Sequence, residues 1–194
     1  MNEELLNRIQ KDIKETLSEY RYIHSVGVMK KAEELAQIYN VDVEKAKLVG
    51  ISHDIAKEFS PEEALKYVKD NNIKIDEIER INTVLLHGKI GADIVKKKYG
   101  FTKDMQDAIS FHTTTNKNMD MLAKILYVAD KIEENRPSGK YNIEYERKIA
   151  NKNIDETIIY IINESIQELA KKNILIHPNC IETRNKILLD LKKK

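Results

Sequence analysis

Four of the five histidines and two aspartates of this chain lie within or beside apolar stretches that are far apart in sequence. Burying a carboxylate in such a stretch is costly unless a charge, a hydrogen bond or a metal ion meets it. Helices packed around one core can bring distant ligands of this kind together. The pattern therefore predicts one shared site for a transition metal that takes imidazole and carboxylate ligands. The six residues are His24, His53, Asp54, His87, His112 and Asp130.

Apolar residues recur at helical spacing along the chain, as in Leu5, Ile9, Ile13 and Leu17, and no sustained alternation bounded by hairpin turns accompanies them. The segment from Ser60 to Glu63 predicts a capped helix start, and Gly100 predicts a helix end. We therefore expect an all-α fold, a helical bundle with the metal site between core helices. The predicted helices are about 2–20, 21–40, 43–57, 61–71, 76–86, 88–99, 103–114, 119–135, 143–151, 153–172 and 179–193.

The charge balance and cysteine content restrict the partners and the compartment. With 33 basic and 32 acidic residues, the net charge is +1, so the chain lacks the excess of positive charge that is typical of broad nucleic-acid binding. The single cysteine, Cys180, forms no internal disulfide and favours a reducing compartment. The N-terminal residues lack a signal-peptide pattern, and no apolar run reaches the roughly 20 residues of a membrane span. We expect a cytoplasmic protein without a membrane partner.

A second interpretation of the histidines stays open at this point. A lone histidine in an apolar helix is more often a satisfied core residue than a metal ligand, and Asp130 can simply pair with Lys124 or Lys131. If all the histidines belonged to the core, the chain would be a helical interaction module. The metal hypothesis therefore depends on the six residues taken together.

Short motifs surround each of the six residues. They are Arg21-Tyr22-Ile23-His24, His53-Asp54-Ile55-Ala56-Lys57, His87-Gly88-Lys89-Ile90, Phe111-His112-Thr113-Thr114 and the stretch from Tyr127 to Arg136. With these motifs in this order along the sequence, the chain resembles the HD-domain metal-dependent phosphohydrolases. More narrowly, it resembles the bacterial symmetrical bis(5'-nucleosyl)-tetraphosphatases. The resemblance implies a single HD-type domain over 1–194, with its motif core at about 20–137 and a helical C-terminal part at 140–194.

The resemblance also implies which residues hold metal. His24, His53, Asp54 and Asp130 would hold one ion, expected to be iron, with manganese or cobalt as substitutes. His87 and His112, with Asp54 bridging, would hold a second ion or contact phosphate directly, and the sequence leaves both roles open. The residues expected to be catalytic are His53, Asp54, Lys57 and Asp130.

Five further residues are candidates for substrate binding beside His87 and His112. Lys57 and Arg136 are expected to hold phosphate, for which the planar fork of arginine is well suited, and Thr113 would add a hydroxyl donor. The alternatives are a solvated lysine and an ordinary helix-end charge. Asn173 and His177, in the break before the last helix, would contact the nucleotide, the alternative being a loop fixed by Pro178.

The activity implied by the resemblance is hydrolysis of diadenosine tetraphosphate into two ADP. A metal ion would activate water for attack on a phosphorus of the bridge, and nearby cations would offset the charge on the non-bridging oxygens. Another HD phosphohydrolase, acting on cyclic nucleotides or nucleoside phosphates, is an alternative. So is a nucleotide-binding regulator that turns over slowly. The expected partner is a nucleotide substrate, and the sequence leaves a homodimer open.

Overall fold

The computed structural model describes residues 3–136 and 142–193, and these residues form helices and no strand. The helices are α1 (Glu3–Thr16), α2 (Glu19–Ile38), α3 (Val43–Ser52), α4 (Pro61–Asp70), α5 (Glu77–Ile81), a 3-10 helix (Thr83–Leu86), α6 (His87–Tyr99), α7 (Lys103–Phe111), α8 (Met121–Ile132), α9 (Ile143–Ala150), α10 (Ile154–Lys171) and α11 (Pro178–Leu191). The all-α expectation is confirmed. Within the described ranges, none of the helices combines the length and the apolar character needed to cross a bilayer.

The main core lies between α2, α3, α7 and α8, which pack against one another. Large side chains such as Leu35, Ile51, Ile109 and Leu126 are fully buried there. Burying each of them removes apolar surface from water and contributes about 1.5–3 kcal/mol. These four helices carry or directly precede five of the six predicted ligands, so the packing of the core determines where the ligands meet.

Two further groups of helices complete the molecule. Helix α10 packs against α8, α9 and α11, and its Ile158 and Ile162 extend the same core. A smaller apolar cluster, built around Val68, Leu86 and Ile90, joins α4 to the 3-10 helix and α6. That smaller cluster fixes the start of α6, which is where His87 lies.

Two helix boundaries agree with their sequence signals. The Ser60 hydroxyl accepts a hydrogen bond from the Glu63 N–H at 3.2 Å, and the Glu63 carboxylate accepts one from the Ser60 N–H at 2.8 Å. Gly100 follows α6 in the left-handed conformation, with φ of 69°. Both signals are local, which is why a single sequence is enough to predict them.

Other helix ends differ from the prediction, and the differences matter for the site. Helix α3 ends at Ser52 instead of residue 57, and α7 ends at Phe111 instead of 114. The predicted helix 76–86 is a five-residue helix followed by a 3-10 helix. Apolar periodicity continues past each of these ends, so the pattern alone does not reveal them.

The early end of α3 corrects one expectation about Lys57. The predicted helix 43–57 would carry both Lys57 and Asp54, but both residues lie in turns beyond α3, where the Lys57 N–H donates to the Asp54 carbonyl at 2.8 Å. Helix α8 likewise ends at Ile132 instead of residue 135. Residues 137–141, which separate the predicted helices 119–135 and 143–151, lie outside the described residues.

Candidate metal centre

The structure brings all six predicted ligands to one place in the core. His24 lies on α2, His53 and Asp54 follow α3, His87 opens α6, His112 follows α7, and Asp130 lies on α8. Each is between 0 % and 6 % exposed. The alternative of scattered core histidines is therefore wrong, since the four side chains converge on two buried carboxylates.

Two overlapping sets of three side chains can each hold a metal ion. One set is His24, His53 and Asp130, and the other is His53, Asp54 and His112, with the ligand atoms of each set within 4.8 Å of one another. His53 Nε2 belongs to both sets, at 3.6 Å from Asp130 Oδ1 and 3.6 Å from Asp54 Oδ1. His87 adjoins the second set, its Nε2 being 3.2 Å from Asp54 Oδ1.

Three of the histidines are oriented by the backbone that precedes them. In each, Nδ1 lies within hydrogen-bond distance of the backbone carbonyl three residues earlier. The bonds run from His53 to Gly50 at 2.8 Å, from His87 to Val84 at 2.5 Å and from His112 to Ile109 at 2.7 Å. These bonds assign the hydrogen to Nδ1 and leave the Nε2 lone pair directed into the centre.

Two acceptor atoms at the middle of this arrangement have no donor within the described part of the chain. His53 Nε2 and Asp54 Oδ1 are buried and have no hydrogen-bond partner among the described residues. His87 Nε2 and His112 Nε2, both acceptors in this tautomer, are 2.9 Å apart. Buried acceptors that face one another are costly, and a cation removes that cost. The donor set of imidazole and carboxylate therefore fits a divalent metal ion.

His24 is held differently from the other three histidines. Its Nδ1 lies 3.1 Å from Glu133 Oε1, and its Nε2 lies 3.0 Å from Asp130 Oδ1. Burial lowers the pKa of His24, but these two carboxylates outweigh it and raise the pKa above its ordinary value. Glu133 is buried and was not predicted as a site residue, because nothing local in the sequence marks an acid that acts on a histidine 109 positions away.

Both carboxylates of the centre are ionised. Burial would raise the pKa of Asp130, but the charge of Lys131 and the contacts with His24 and His53 hold it well below its usual value. Burial acts on the pKa of Asp54 in the same way and is outweighed by His53, His112, His87 and the charge of Lys57. Two ionised oxygen donors are what a metal ion needs at this position.

Four cationic side chains border the centre. Lys57 Nζ donates to His87 Nε2 at 3.0 Å, and Arg136 Nη2 donates to Asp130 Oδ1 at 2.8 Å. Lys131 Nζ donates to Asp130 Oδ2 at 2.7 Å, and Arg21 Nη1 is 3.6 Å from Asp54 Oδ2. Arg21 and Lys131 were missed from the sequence as site residues, although both lie in motifs that contain a ligand. Burial lowers the pKa of the Lys57 ammonium.

A cavity of about 230 Å³ opens beside the centre. Thr113, whose Oγ1 is 3.1 Å from His87 Nε2, and Lys131 stand at the boundary between them. Its remaining lining is mainly apolar and comes mostly from the 3-10 helix, α8, α10, the segment between α10 and α11, and the start of α11. The lining includes Leu85, Tyr127, Ile162, Leu169, Ile174, Leu175, His177 and Cys180.

The two residues predicted near the last helix are placed differently from each other. Asn173 is exposed, with φ of 53°, and shapes the turn after α10 instead of lining the cavity. His177 lines the cavity, but its ring is engaged: Nδ1 accepts from the Asn179 N–H at 3.2 Å, and Nε2 donates to Asp76 Oδ2 at 2.7 Å.

A third cluster of possible metal ligands consists of Asp76, Glu79 and His177. Its atoms already bind one another, and Lys89 Nζ donates to Glu79 Oε2 at 2.6 Å. We therefore describe this cluster as a hydrogen-bonded network between α5, α6 and α11.

The HD domain family model matches residues 21–135, the part of the chain that holds the six candidate ligands. The chain therefore belongs to the HD domain family, as its motifs indicated.

Along most of its length the chain is similar to particular members of that family. It is 36% identical to "Bis(5'-nucleosyl)-tetraphosphatase, symmetrical" of Bacillus subtilis (strain 168), over 89% of this chain and 92% of that protein. A protein of the same name from Halalkalibacterium halodurans is also 36% identical, over 93% of this chain and 95% of that one. The crystal structure of a predicted HD superfamily hydrolase involved in NAD metabolism, from Clostridium acetobutylicum, superimposes with a TM-score of 0.91 at 34% identity, covering 95% of this chain and 97% of that chain.

Proposed function

We propose that this protein is a metal-dependent hydrolase that cleaves dinucleoside polyphosphates symmetrically, converting diadenosine tetraphosphate and water into two ADP. The observation that carries the proposal is the similarity, over nearly the whole chain, to proteins named for that activity. The structure supports it with a buried centre suited to a metal, a border of cations and an adjoining cavity.

We propose iron as the metal, with manganese or cobalt as substitutes. His24, His53, Asp54 and Asp130 would hold one ion, while His87 and His112, with Asp54 between them, would hold a second or face the phosphate. Asp54 Oδ1 lies 3.6 Å from His53 Nε2, 3.2 Å from His87 Nε2 and 3.5 Å from His112 Nε2, which supports Asp54 as the shared ligand. When bound, the metal supplies Lewis-acid activation of water and of a phosphate oxygen.

The cations of the chain would hold the polyphosphate. Arg21 and Arg136 keep about a third of their side-chain surface exposed, at 34% and 37%, so a substrate can reach them. Lys57 Nζ lies 3.6 Å from Asp54 Oδ1, and Lys131 Nζ lies 2.7 Å from Asp130 Oδ2. Charge-assisted bonds from these groups would offset the charge that develops on the phosphate oxygens.

The cavity would hold one nucleoside. Its apolar walls suit the faces of a base, and Thr113 and Lys131 mark the end that faces the centre. With the first nucleoside there, the second phosphorus of the bridge would lie at the centre. Water attack forms one P–O bond at that phosphorus and breaks the bridging P–O bond, so each half leaves as ADP.

Hydrolysis of diadenosine tetraphosphate in ¹⁸O-labelled water tests the proposal. Mass spectrometry of the products should show two ADP per event, one of them labelled, with little ATP or AMP. Diadenosine triphosphate should give ADP and AMP. An ATP-plus-AMP pattern from the tetraphosphate would contradict the phosphate register described above.

The same preparation separates the alternatives. Faster turnover of a cyclic nucleotide or a nucleoside monophosphate would favour a different HD phosphohydrolase. Tight ADP binding in equilibrium dialysis without product release would favour a nucleotide-binding regulator.

We further propose a single-domain protein of the cytoplasm that acts on nucleotides and binds no nucleic acid. The net charge of +1 and the single cysteine support these points. A homodimer is compatible with them, and light scattering of the purified protein would decide it.

A further inference from the structure

One side-chain hydrogen bond joins the first residues of two helices that are distant in sequence. His177, the N-cap of α11, donates from Nε2 to Oδ2 of Asp76, the N-cap of α5, at 2.7 Å. The direction of this bond follows from the other ring nitrogen, since Nδ1 accepts from the Asn179 N–H. His177 is 8 % exposed, whereas the Asp76 side chain keeps 47 % of its surface exposed, so water reaches the bond only from the Asp76 side.

Each carboxylate oxygen of Asp76 accepts a hydrogen bond. Its second oxygen, Oδ1, accepts from the Glu79 N–H at 2.9 Å, which caps α5. Glu79 accepts in turn from the Asp76 N–H and from Lys89 on α6, two residues after His87. The bond to His177 therefore connects α11 to a network that reaches the helix on which a candidate ligand lies.

The bond spans the two walls of the cavity beside the metal centre. Asn82 and Leu85, which follow α5, line one wall, whereas Leu175, His177 and Cys180 line the other. Val84, which precedes Leu85 in the 3-10 helix, has the carbonyl that orients His87. A change in the separation of the walls would alter the cavity and leave His53 and His112 in place, because their backbone anchors, Gly50 and Ile109, do not line the cavity.

We propose that Asp76 and His177 form a positioning pair that holds the two walls of this cavity at the separation a nucleoside requires. In this arrangement His177 acts through Asp76 and not by contacting the nucleotide with its ring. The inference rests on the proposed function for the identity of the occupant, but the bond and the walls it joins are independent of that identity.

Two substitutions break the bond and keep the helix caps. Asp76→Asn keeps a good N-cap residue, but its single oxygen cannot serve both Glu79 and His177. His177→Asn likewise keeps a capping oxygen and is too short to reach Asp76. Asp42→Asn is the matched control, because Asp42 caps α3 by accepting from the Lys45 N–H and does not line the cavity.

Steady-state kinetics with diadenosine tetraphosphate provide the first measurement. Both Asp76→Asn and His177→Asn should raise KM by about 3- to 10-fold, because each removes one hydrogen bond of moderate strength. The value of kcat should stay within about twofold of the wild type. The double variant should be no worse than the worse single variant, since both remove the same bond. Asp42→Asn should match the wild type.

Cys180 provides a second measurement that needs no substrate. It is the one cysteine of the chain, it lines the same cavity, and its Sγ lies 3.5 Å from the Thr114 carbonyl. Loosening the walls should increase the rate at which dithionitrobenzoate modifies it by at least about threefold in both variants, and not in Asp42→Asn. If the wild type fails to cleave the tetraphosphate, the proposed function fails while this rate still tests the pair.

Two results would overturn the proposal. A raised KM in His177→Asn with an unchanged KM in Asp76→Asn would mean that the imidazole contacts the nucleotide itself. Unchanged thiol reactivity in both variants would mean that the bond does not hold the cavity walls.

Discussion

The carboxylate of Glu133 lies directly over Gly27, where an added Cβ would come within 2.2 Å of Glu133 Oε2. Glycine is required at this position because the carboxylate must pass over α2 to reach His24 Nδ1. Asn135 holds the other side of the same group, its N–H donating to Oε2 at 2.7 Å. Gly27 and Glu133 thus form one unit that orients His24.

Replacing Gly27 with alanine should therefore weaken metal binding. Alanine favours a helix over glycine by about 1 kcal/mol, so the helix should persist while the displaced Glu133 releases His24. Loss of such an outer partner typically costs about 10- to 100-fold in metal affinity. Chelator competition followed by metal analysis measures it, and Glu133→Gln should show a loss of the same kind.

The control for that substitution is Gly91→Ala. A Cβ at Gly91 would meet its neighbours at 3.4 Å or more, an ordinary contact distance. Equal metal affinity in the wild type and in Gly27→Ala would mean that Glu133 does not orient His24.

His53→Ala and Asp54→Ala should abolish turnover and release metal, since His53 Nε2 belongs to both ligand sets. Circular dichroism should remain helical. His177→Asn is the matched control, because it also removes a buried histidine but should keep the metal. Near-native activity in either alanine variant, or full activity after exhaustive chelation, would refute the ligand assignment.

Lys57→Ala and Arg136→Ala should weaken transition-state binding without loss of metal. Charge-assisted bonds contribute about 1.5–3 kcal/mol, so kcat/KM should fall about 10- to 150-fold. Arg136→Lys keeps the positive charge but lacks the planar guanidinium that can bind two phosphate oxygens, so its kcat/KM should lie between those of Arg136→Ala and the wild type. Unchanged kinetics in both alanine variants would make these residues ordinary solvated cations.

Leu126→Ala should destabilise the fold by about 2–5 kcal/mol, because Leu126 is fully buried in the core. Ile81→Ala is the control: Ile81 is 67 % exposed, and its loss should change the free energy of unfolding by less than about 0.5 kcal/mol. Urea titration followed by circular dichroism measures both. A small effect at Leu126 would mean that the core repacks around it.

The ligands could be predicted from the sequence because each one interrupts an apolar stretch. His24 and Asp130 are recognisable in this way although they are 106 positions apart. The roles of Glu133 and Arg21 could not be predicted, since their contacts are long-range and their own segments look like any charged helix end. The bond between Asp76 and His177 could not be predicted for the same reason, and the positioning role proposed for His177 depends on it.

The ends of several helices could not be predicted from the spacing of apolar residues either. Helical periodicity continues through His53 and His112, yet each of these residues lies just past the last residue of its helix. The histidine side chain itself bonds to a backbone carbonyl there, a local competition with the helix that hydrophobic spacing does not register.

Those three carbonyl bonds have a consequence for how the centre is occupied. Because the rings of His53, His87 and His112 are anchored by the fold, their rotamer entropy is lost during folding and not when an ion arrives. An ion can then leave and be replaced by another without the polypeptide rearranging. Which metal the protein carries would follow from the ions available around it and from ligand preference, and not from the order in which folding and loading occur.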